Sequence, residues 1–400
     1  MVAIRARLQQ ARQQREQLQR WRQLPQFVRA DARFVETADG RRFVNFASND
    51  YLGLSDHPLV KRSFADAVVT YGSGGRASPL VTGLSQPHTN LQRCLAEYLN
   101  REQVLLFSSG FAANHGVLQT LAPHYNAILA DKLVHASWLS GVRLQRFQHN
   151  DVDAYEQRLS QVSAQQQQNT SVLVLSESVF SMDGDQAPVQ ELLNATIPKG
   201  VQRDLWLDDA HGFGTQGEHG LSIGGTFSAE QVPLLTLTFG KAVGVAGAAV
   251  ATSQEVADYL TNYCRELVYS TQFPAAQAAA IHTAVDLIVG DEGQRLRQRL
   301  AETIQSFQHL SKQRGLPVAT SSTAIQHVII GADADALWVA DQLREAGIWC
   351  TAMRPPTVPE HTARLRITLT AAHQPSDVTH LVDRLAAAID GLAARVELRS

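Results

Sequence analysis

The sequence predicts an α/β protein, with a large, mostly parallel sheet sandwiched by helices and a smaller α+β unit. Three observations predict it. Short apolar runs recur at Val104–Phe107, Ala127–Ala130, Val172–Leu175, Leu205–Leu207, Leu234–Leu237 and Ala246–Ala251. Helix-length stretches such as 111–122 and 137–147 lie between several of them, the alternation of a doubly wound sheet. Polar and glycine residues cluster just after the runs: Ser108-Ser109-Gly110, Asp131-Lys132, Ser176-Glu177, Asp208-Asp209 and Gly240-Lys241. Open α/β sheets bind ligands outside the carboxyl ends of their strands, so these groups point to one crevice. Beyond about residue 290 the pattern changes. A long helix, Glu292–Arg314, precedes strand-like Gln326–Ile330, a helix near 334–346, strand-like Ile348–Met353 and Arg364–Leu369, and a final helix.

The N-terminal elements follow from local chemistry. Residues 1–24 are rich in Gln and Arg, with Leu8, Leu18 and Trp21 as the main apolar points, and read as a polar helix or solvated arm ending at Pro25. Residues 34–46 read as a hairpin turning at Asp39-Gly40. Residues 164–169 (AQQQQN) read as a low-complexity surface loop. The expected organisation is an N-terminal helix and hairpin arm over 1–48, a large ligand-binding α/β domain over 49–288, and a small α+β domain over 289–400.

Composition excludes several classes. With 44% hydrophobic and 18% charged residues over 400 positions, the chain has globular composition and length for a large core. Lys plus Arg is 35 and Asp plus Glu is 38, a net charge of −3, which gives no global pull toward nucleic acid or an anionic membrane. Cys94, Cys264 and Cys350 are far apart and form no CxxC pair. That fits neither a zinc knuckle nor a disulfide scaffold, and it suits a reducing, cytoplasmic compartment. The N-terminus lacks the apolar core of a secretory signal, and Lys241 interrupts the most apolar stretch, Leu234–Ala251.

The motifs carry the chemistry. TFGK (238–241) ends an apolar strand and is followed by small residues. A desolvated lysine there has a lowered pKa and becomes a nucleophile able to form a Schiff base; the plain alternative is a lysine reaching solvent. LDDAH (207–211) also ends a strand, placing Asp208 to pair with a cationic ring nitrogen and His211 to donate to a nearby oxygen, or simply capping a loop. As a metal site Asp208, Asp209 and His211 lack a fourth ligand, and no metal is expected. GFGTQG (212–217) matches GxGxxG but opens no helical pattern, so it reads as a loop rather than a dinucleotide fingerprint. SSGFAAN (108–114) opens a helix after a strand, where orphan N–H groups bind phosphate or simply receive an N-cap. His135, in VHASW, follows a short strand, and FSMDGD (180–185) is a turn with part of a calcium loop's ligands. Together these groups meet the needs of pyridoxal phosphate.

NDYLGL (49–54), SGFAAN (109–114), FSMDGD, DDAHG (208–212) and TFGK together resemble the α-oxoamine synthases, fold-type I pyridoxal-phosphate enzymes that join an amino acid to an acyl thioester. RPPTVP (354–359), continuing to ARLRITLTAAH (363–373), resembles the biotin-pathway member of that family. The resemblance spans about residues 20–390. It implies Lys241 as the Schiff-base lysine and Asp208 as the partner of the pyridine nitrogen. His211 and Ser181 match positions near the phenolic oxygen, and His135 matches the ring-stacking histidine. Gly110, Phe111 and Thr238 match the phosphate site. Arg354, Thr357 and Arg20 match substrate-contacting positions, with Arg22 as the alternative to Arg20; Asn49 and Glu177 match polar groups near the substrate. Residues 72–83 (GSGGRASPLVTG) depart from the usual order of glycine and serine in that loop.

The implied reaction is a decarboxylative condensation of L-alanine with a pimeloyl group on coenzyme A or acyl carrier protein. The resemblance also implies a homodimer with active sites at the subunit interface. Three rivals stand beside it: a sibling synthase using glycine or serine with another acyl-CoA, a catalytically silent scaffold of the same fold, and a nicotinamide dehydrogenase resting on GFGTQG.

Overall fold

The computed structural model describes residues 2–165 and 169–397, and the chain divides into two compact units. One comprises Met1–Tyr51, Met182–Gly184 and Arg299–Ser400; the other comprises Leu52–Ser181 and Asp185–Gln298.

The first unit opens with a helix at Val2–Gln17, shorter than the stretch to Pro25 that the sequence suggested. Its leucine Leu8 is 61% exposed, so no apolar face extends it, and Gln19 adopts φ 55° just beyond its end. Then come β1 (Phe27–Ala30), β2 (Phe34–Thr37) and β3 (Arg42–Asn45). β2 and β3 form the expected hairpin, and Gly40 turns at φ 81°.

The second unit holds a seven-stranded sheet of β4 (Gln103–Phe107), β5 (Ala127–Asp131), β6 (Gln145–Phe147), β7 (Thr170–Glu177), β8 (Val201–Asp208), β9 (Leu234–Thr238) and β10 (Ala248–Thr252). Their order is β4-β10-β9-β8-β7-β5-β6. β10 runs antiparallel to both its neighbours and the other six strands share one direction. The stretch 137–147 is not a helix. Residues Ala136–Trp138 form one 3-10 turn, Gly141 has φ 81°, and Gln145–Phe147 becomes β6 beside β5. That glycine breaks any helix begun there, and Trp138, Val142 and Leu144 pack on the core around the turn instead. Residues 164–165 close the helix Val152–Gln165, and the middle of the AQQQQN tract, 166–168, lies outside the described residues.

Burial rather than helix propensity fixes the helix Gly110–Leu121. Gly116 costs it about 1 kcal/mol, yet a Cβ there would lie 2.5 Å from Glu266 Cγ. Ala113, Val117 and Leu118 are buried against Trp138, Leu175 and Trp206. Each buried Val or Leu contributes about 1.5–3 kcal/mol, which outweighs the glycine.

The remaining strands return to the first unit: β11 (Ile325–Gly331), β12 (Ile348–Trp349), β13 (Thr351–Met353) and β14 (Ala363–Thr368). β11, β14 and β13 form an antiparallel sheet, while β12 pairs parallel with β3. The expected single run Ile348–Met353 is therefore two strands in two sheets, divided at buried Cys350. The helices Asp291–Gln313, Asp333–Glu345 and Pro375–Glu397 match the long, middle and final helices of the sequence reading. Among the described residues no helix is long and apolar enough to cross a membrane.

Candidate active site

Parallel register gathers the polar strand ends. Glu177, the last residue of β7, lies opposite Asp208, the last of β8, and Asp208 lies opposite Thr236 of β9. Asp131 closes β5 at the same edge.

Asp208 is 5% exposed and held on both oxygens. Asn114 Nδ2 donates to its Oδ2 at 2.6 Å, and the backbone N–H of Ala210 donates to its Oδ1 at 3.0 Å. The same Asn114 amide nitrogen donates to Ser137 Oγ at 3.1 Å, and Ser137 Oγ is 2.9 Å from His135 Nδ1. Thr236 Oγ1 donates to Asn114 Oδ1 at 2.9 Å and accepts from Trp206 Nε1 at 2.9 Å. These bonds fix which way the Asn114 amide faces, because its oxygen already has a donor. Asn114, Ser137 and Thr236 are each no more than 1% exposed. Asn114 and Ser137 lie inside the motifs SGFAAN and VHASW, but nothing local in the sequence marks either as a site residue.

Ser109 caps the helix Gly110–Leu121, its Oγ accepting from Ala112 N–H at 3.1 Å. A Cβ on Gly110 would sit 2.6 Å from Thr238 Cγ2, so this approach to β9 requires glycine. Thr238 donates through Oγ1 to the Ala210 carbonyl at 3.2 Å. Phe111 is 51% exposed and meets the His135 ring edge-on, centroids 6.5 Å apart.

His135, Glu177, Asp208 and Lys241 feel one another's charge. Burial pushes Glu177 well above the usual carboxylate range, and anionic Asp208 adds to this; Lys241 and the His135 backbone N–H oppose it. Glu177 Oε1 is buried with no hydrogen-bond partner. Desolvation lowers the His135 pKa, Asp208 opposes that, and cationic Lys241 reinforces it. A neutral imidazole beside a lysine is thus the favoured state.

The two acids of LDDAH part company. Asp209 is fully buried and accepts from Ser178 Oγ and, at 3.4 Å, from Gly224 N–H. A Cβ on Gly212 would meet Asp209 Oδ1 at 1.9 Å. Asp209 therefore anchors the GFGTQG loop, which opens no helix: its N–H groups bond within the loop, as Gly214 N–H does to the Gly220 carbonyl. His211 is buried beside Asp209, and Thr215 Oγ1 donates to its carbonyl at 3.2 Å.

Ser181 sits in the turn expected for FSMDGD, which Phe180 N–H closes onto the Asp185 carbonyl at 2.9 Å. His149 braces that turn. Its ring nitrogens lie 2.9 Å from Asp131 Oδ1 and 2.7 Å from Asp185 Oδ2, and its ring stands edge-on to Phe180 at 4.4 Å. Burial disfavours its charge, yet the two carboxylates hold its pKa up at about 10. Sequence reading missed His149, since its partners are 18 and 36 positions away. The loop 72–83 packs on the segment after residue 270: Gln272 N–H donates to the Ala77 carbonyl at 3.0 Å, and a Cβ on Gly75 would strike the Gln272 carbonyl.

The remaining expected site residues belong to the other unit. Arg20 donates Nε to Asp333 at 2.7 Å and grips Glu360 through both terminal nitrogens at 2.9 and 2.5 Å. Arg22 donates to Thr357 Oγ1 at 2.8 Å, and Arg354 donates to the Gln19 carbonyl. The arm and the RPPTVP loop are thus tied together. Asn49 Oδ1 accepts from Tyr51 at 3.3 Å and from Arg366 at 3.2 Å.

Residues 41–385 match the model of the aminotransferase class I and II family. The 8-amino-7-oxononanoate synthase of Enterobacter sp. (strain 638) is 45% identical over 360 residues, 88% of this chain and 90% of that protein. The synthase of the same name from Yersinia pseudotuberculosis is 44% identical over 361 residues, 89% and 91%. The chain belongs to the aminotransferase class I and II family, among the 8-amino-7-oxononanoate synthases. Solved structures agree on the architecture. Serine palmitoyltransferase of Sphingomonas wittichii superposes with a TM-score of 0.82 at 28% identity, covering 90% of each chain. The 8-amino-7-oxononanoate synthase of Francisella tularensis gives 0.73 at 24% identity, covering 87% and 98%, a likeness of fold. Fold-type I, expected from the resemblance, is the fold of this family.

Proposed function

We propose that this chain condenses L-alanine with a pimeloyl thioester, carried on coenzyme A or acyl carrier protein, to give 8-amino-7-oxononanoate, carbon dioxide and the free thiol. This is an acyl-transfer step of biotin synthesis. The observation that carries it is the mutual electrostatic influence of Lys241, Asp208 and His135 in a chain 45% identical to a named synthase.

Pyridoxal phosphate fits these residues. The orphaned Oε1 of Glu177, the buried carboxylate of Asp208 and the glycine-only approach at Gly110 are features of a site built around a bound group. Lys241 would hold its aldehyde carbon, Asp208 its ring nitrogen, and Ser181 with His211 its phenolic oxygen. Gly110, Phe111 and Thr238 would hold its phosphate. When bound, it supplies an electron sink for the carbanion at Cα of the amino acid.

The protein's residues supply the rest. Asp208, fixed by Asn114 and Ala210, would pair with a cationic ring nitrogen, since an opposite charge favours the charged form of both. Lys241 would take the Cα proton of L-alanine and return one to the product as general base and acid. His135, with Nδ1 2.9 Å from Ser137 Oγ, would pack on the bound ring and polarise the thioester or keto-acid oxygen. Arg354 is assigned to the amino-acid carboxylate, with Thr357, Arg20, Asn49 and Glu177 as further substrate contacts; guanidinium binds carboxylate through two N–H groups.

We infer a cytoplasmic homodimer. Free Cys94, Cys264 and Cys350 fit a reducing compartment, and the exposed apolar residues Leu80, Val81 and Tyr269 offer surface for a second copy. The test is the visible spectrum of the purified protein with pyridoxal phosphate. An absorption band that shifts with L-alanine supports the reading. A shift with glycine or L-serine and none with L-alanine moves the chain to the sibling activity, and no visible band overturns both.

A further inference from the structure

A cluster of a different kind lies apart from the strand-end residues. Cys94 is on the helix Gln86–Tyr98, while His282 and Asp286 are one turn apart on the facing helix Ala275–Val289. One ligand atom from each of the three lies within 4.8 Å of the others. Asp286 Oδ1 is 3.9 Å from Cys94 Sγ and accepts from the Tyr98 hydroxyl at 3.3 Å, and its Oδ2 is 3.8 Å from His282 Nε2. Asn90, Arg93 and Glu97 line the same surface cleft, about 400 Å³ in volume.

We propose that Cys94, His282 and Asp286 bind a zinc ion, with the fourth position open to water. The donor set selects the metal. Thiolate and imidazole suit zinc, whereas magnesium and calcium take oxygen ligands. Zinc bonds of about 2.0–2.3 Å set neighbouring ligand atoms roughly 3.3–3.8 Å apart in a tetrahedron. The widest spacing, up to 4.8 Å, needs to close by about 1–1.5 Å, within reach of side-chain rotation on two packed helices. Charge favours a cation as well. Arg93 is the one cation lining the cleft and is set against Asp286 and Glu97. The sequence reading expected no metal because Asp208, Asp209 and His211 lack a fourth ligand and no CxxC pair exists; this cluster joins residues 192 positions apart in Cys94 and Asp286.

The test is calorimetric titration of the holoenzyme with zinc ion alone, in the wild type and in Cys94→Ser and His282→Gln. The expected result is one saturable site per chain, weakened roughly tenfold or more in each variant. Zinc should raise the melting temperature of the wild type only. Melting curves without zinc verify that both variants fold, and Cys94→Ser keeps its condensation activity in metal-free buffer. No saturable binding in the wild type, or equal affinity in all three proteins, overturns the proposal. A variant that fails to fold is replaced by Asp286→Asn, read in the same way. None of these readouts depends on which amino acid the enzyme condenses.

Discussion

Asn114 Nδ2 donates to Asp208 Oδ2 at 2.6 Å across 94 positions of sequence, and the same amide reaches Ser137, the residue that holds His135. One buried side chain thus sets two of the groups on which the proposed chemistry rests. Asn114→Leu is expected to leave Asp208 with one donor fewer and to cost about 2 kcal/mol of stability, in line with losing a hydrogen bond to a buried charge. Urea unfolding measures that loss. A spectroscopic titration with pyridoxal phosphate should show weaker binding; unchanged affinity would mean Asn114 only packs.

Gly110 and Thr238 form a steric pair. Gly110→Ala puts a Cβ 2.6 Å from Thr238 Cγ2 and is expected to weaken cofactor binding roughly tenfold, an overpacking cost of about 1–3 kcal/mol. Adding Thr238→Ser removes the clashing methyl and keeps the hydroxyl that meets the Ala210 carbonyl. Binding should recover in the double variant, and equal loss in single and double variants would contradict the steric account.

These two pairs mark how far the sequence could be read. Lys241, Asp208 and Gly110 were legible because each sits where an apolar run gives way to polar or glycine residues, a pattern local in sequence. The hairpin at Asp39-Gly40 and the helix Asp291–Gln313 were legible for the same local reason. Asn114 bonded to Asp208 and His149 between Asp131 and Asp185 depend on which strands become neighbours, and no local pattern encodes that. The stretch 137–147 misled because helix-length spacing was read without weighing Gly141, whose φ of 81° ends the turn.

His149 gives a pH signature. Its folded pKa of about 10 lies above the ordinary value of 6.5, so the folded state holds a proton that the unfolded chain loses first. Its stabilising contribution is full below pH 6.5 and fades as pH rises toward 10. His149→Gln is expected to destabilise the protein by about 2–3 kcal/mol at pH 6, below the usual cost of breaking a fully buried pair because the ring is partly exposed. The gap between the two proteins should narrow by pH 9.5. Chemical denaturation at both pH values measures it, and a constant gap would show that His149 is not charged.

Glu177 predicts a slope of the same sign from a carboxyl group. Burial and Asp208 raise its pKa, so the folded state favours a neutral carboxyl, and stability is lost as pH rises above the unfolded value of 4.5. Glu177→Gln cannot ionise and should gain stability relative to wild type between pH 5 and pH 8 in cofactor-free protein. Urea unfolding at the two pH values tests this; equal stability at both would mean that Glu177 ionises without penalty.

The central claim is that Lys241 moves the proton at Cα of L-alanine and that the condensation follows. Mass-spectrometric detection of 8-amino-7-oxononanoate, from L-alanine and pimeloyl-CoA with wild type and Lys241→Ala, tests it most directly. The account predicts product from the wild type and a fall of roughly 10²–10⁴-fold or more in the variant, the scale of a lost general base. Full turnover by Lys241→Ala, or a wild type that makes product only from glycine or L-serine, would contradict it.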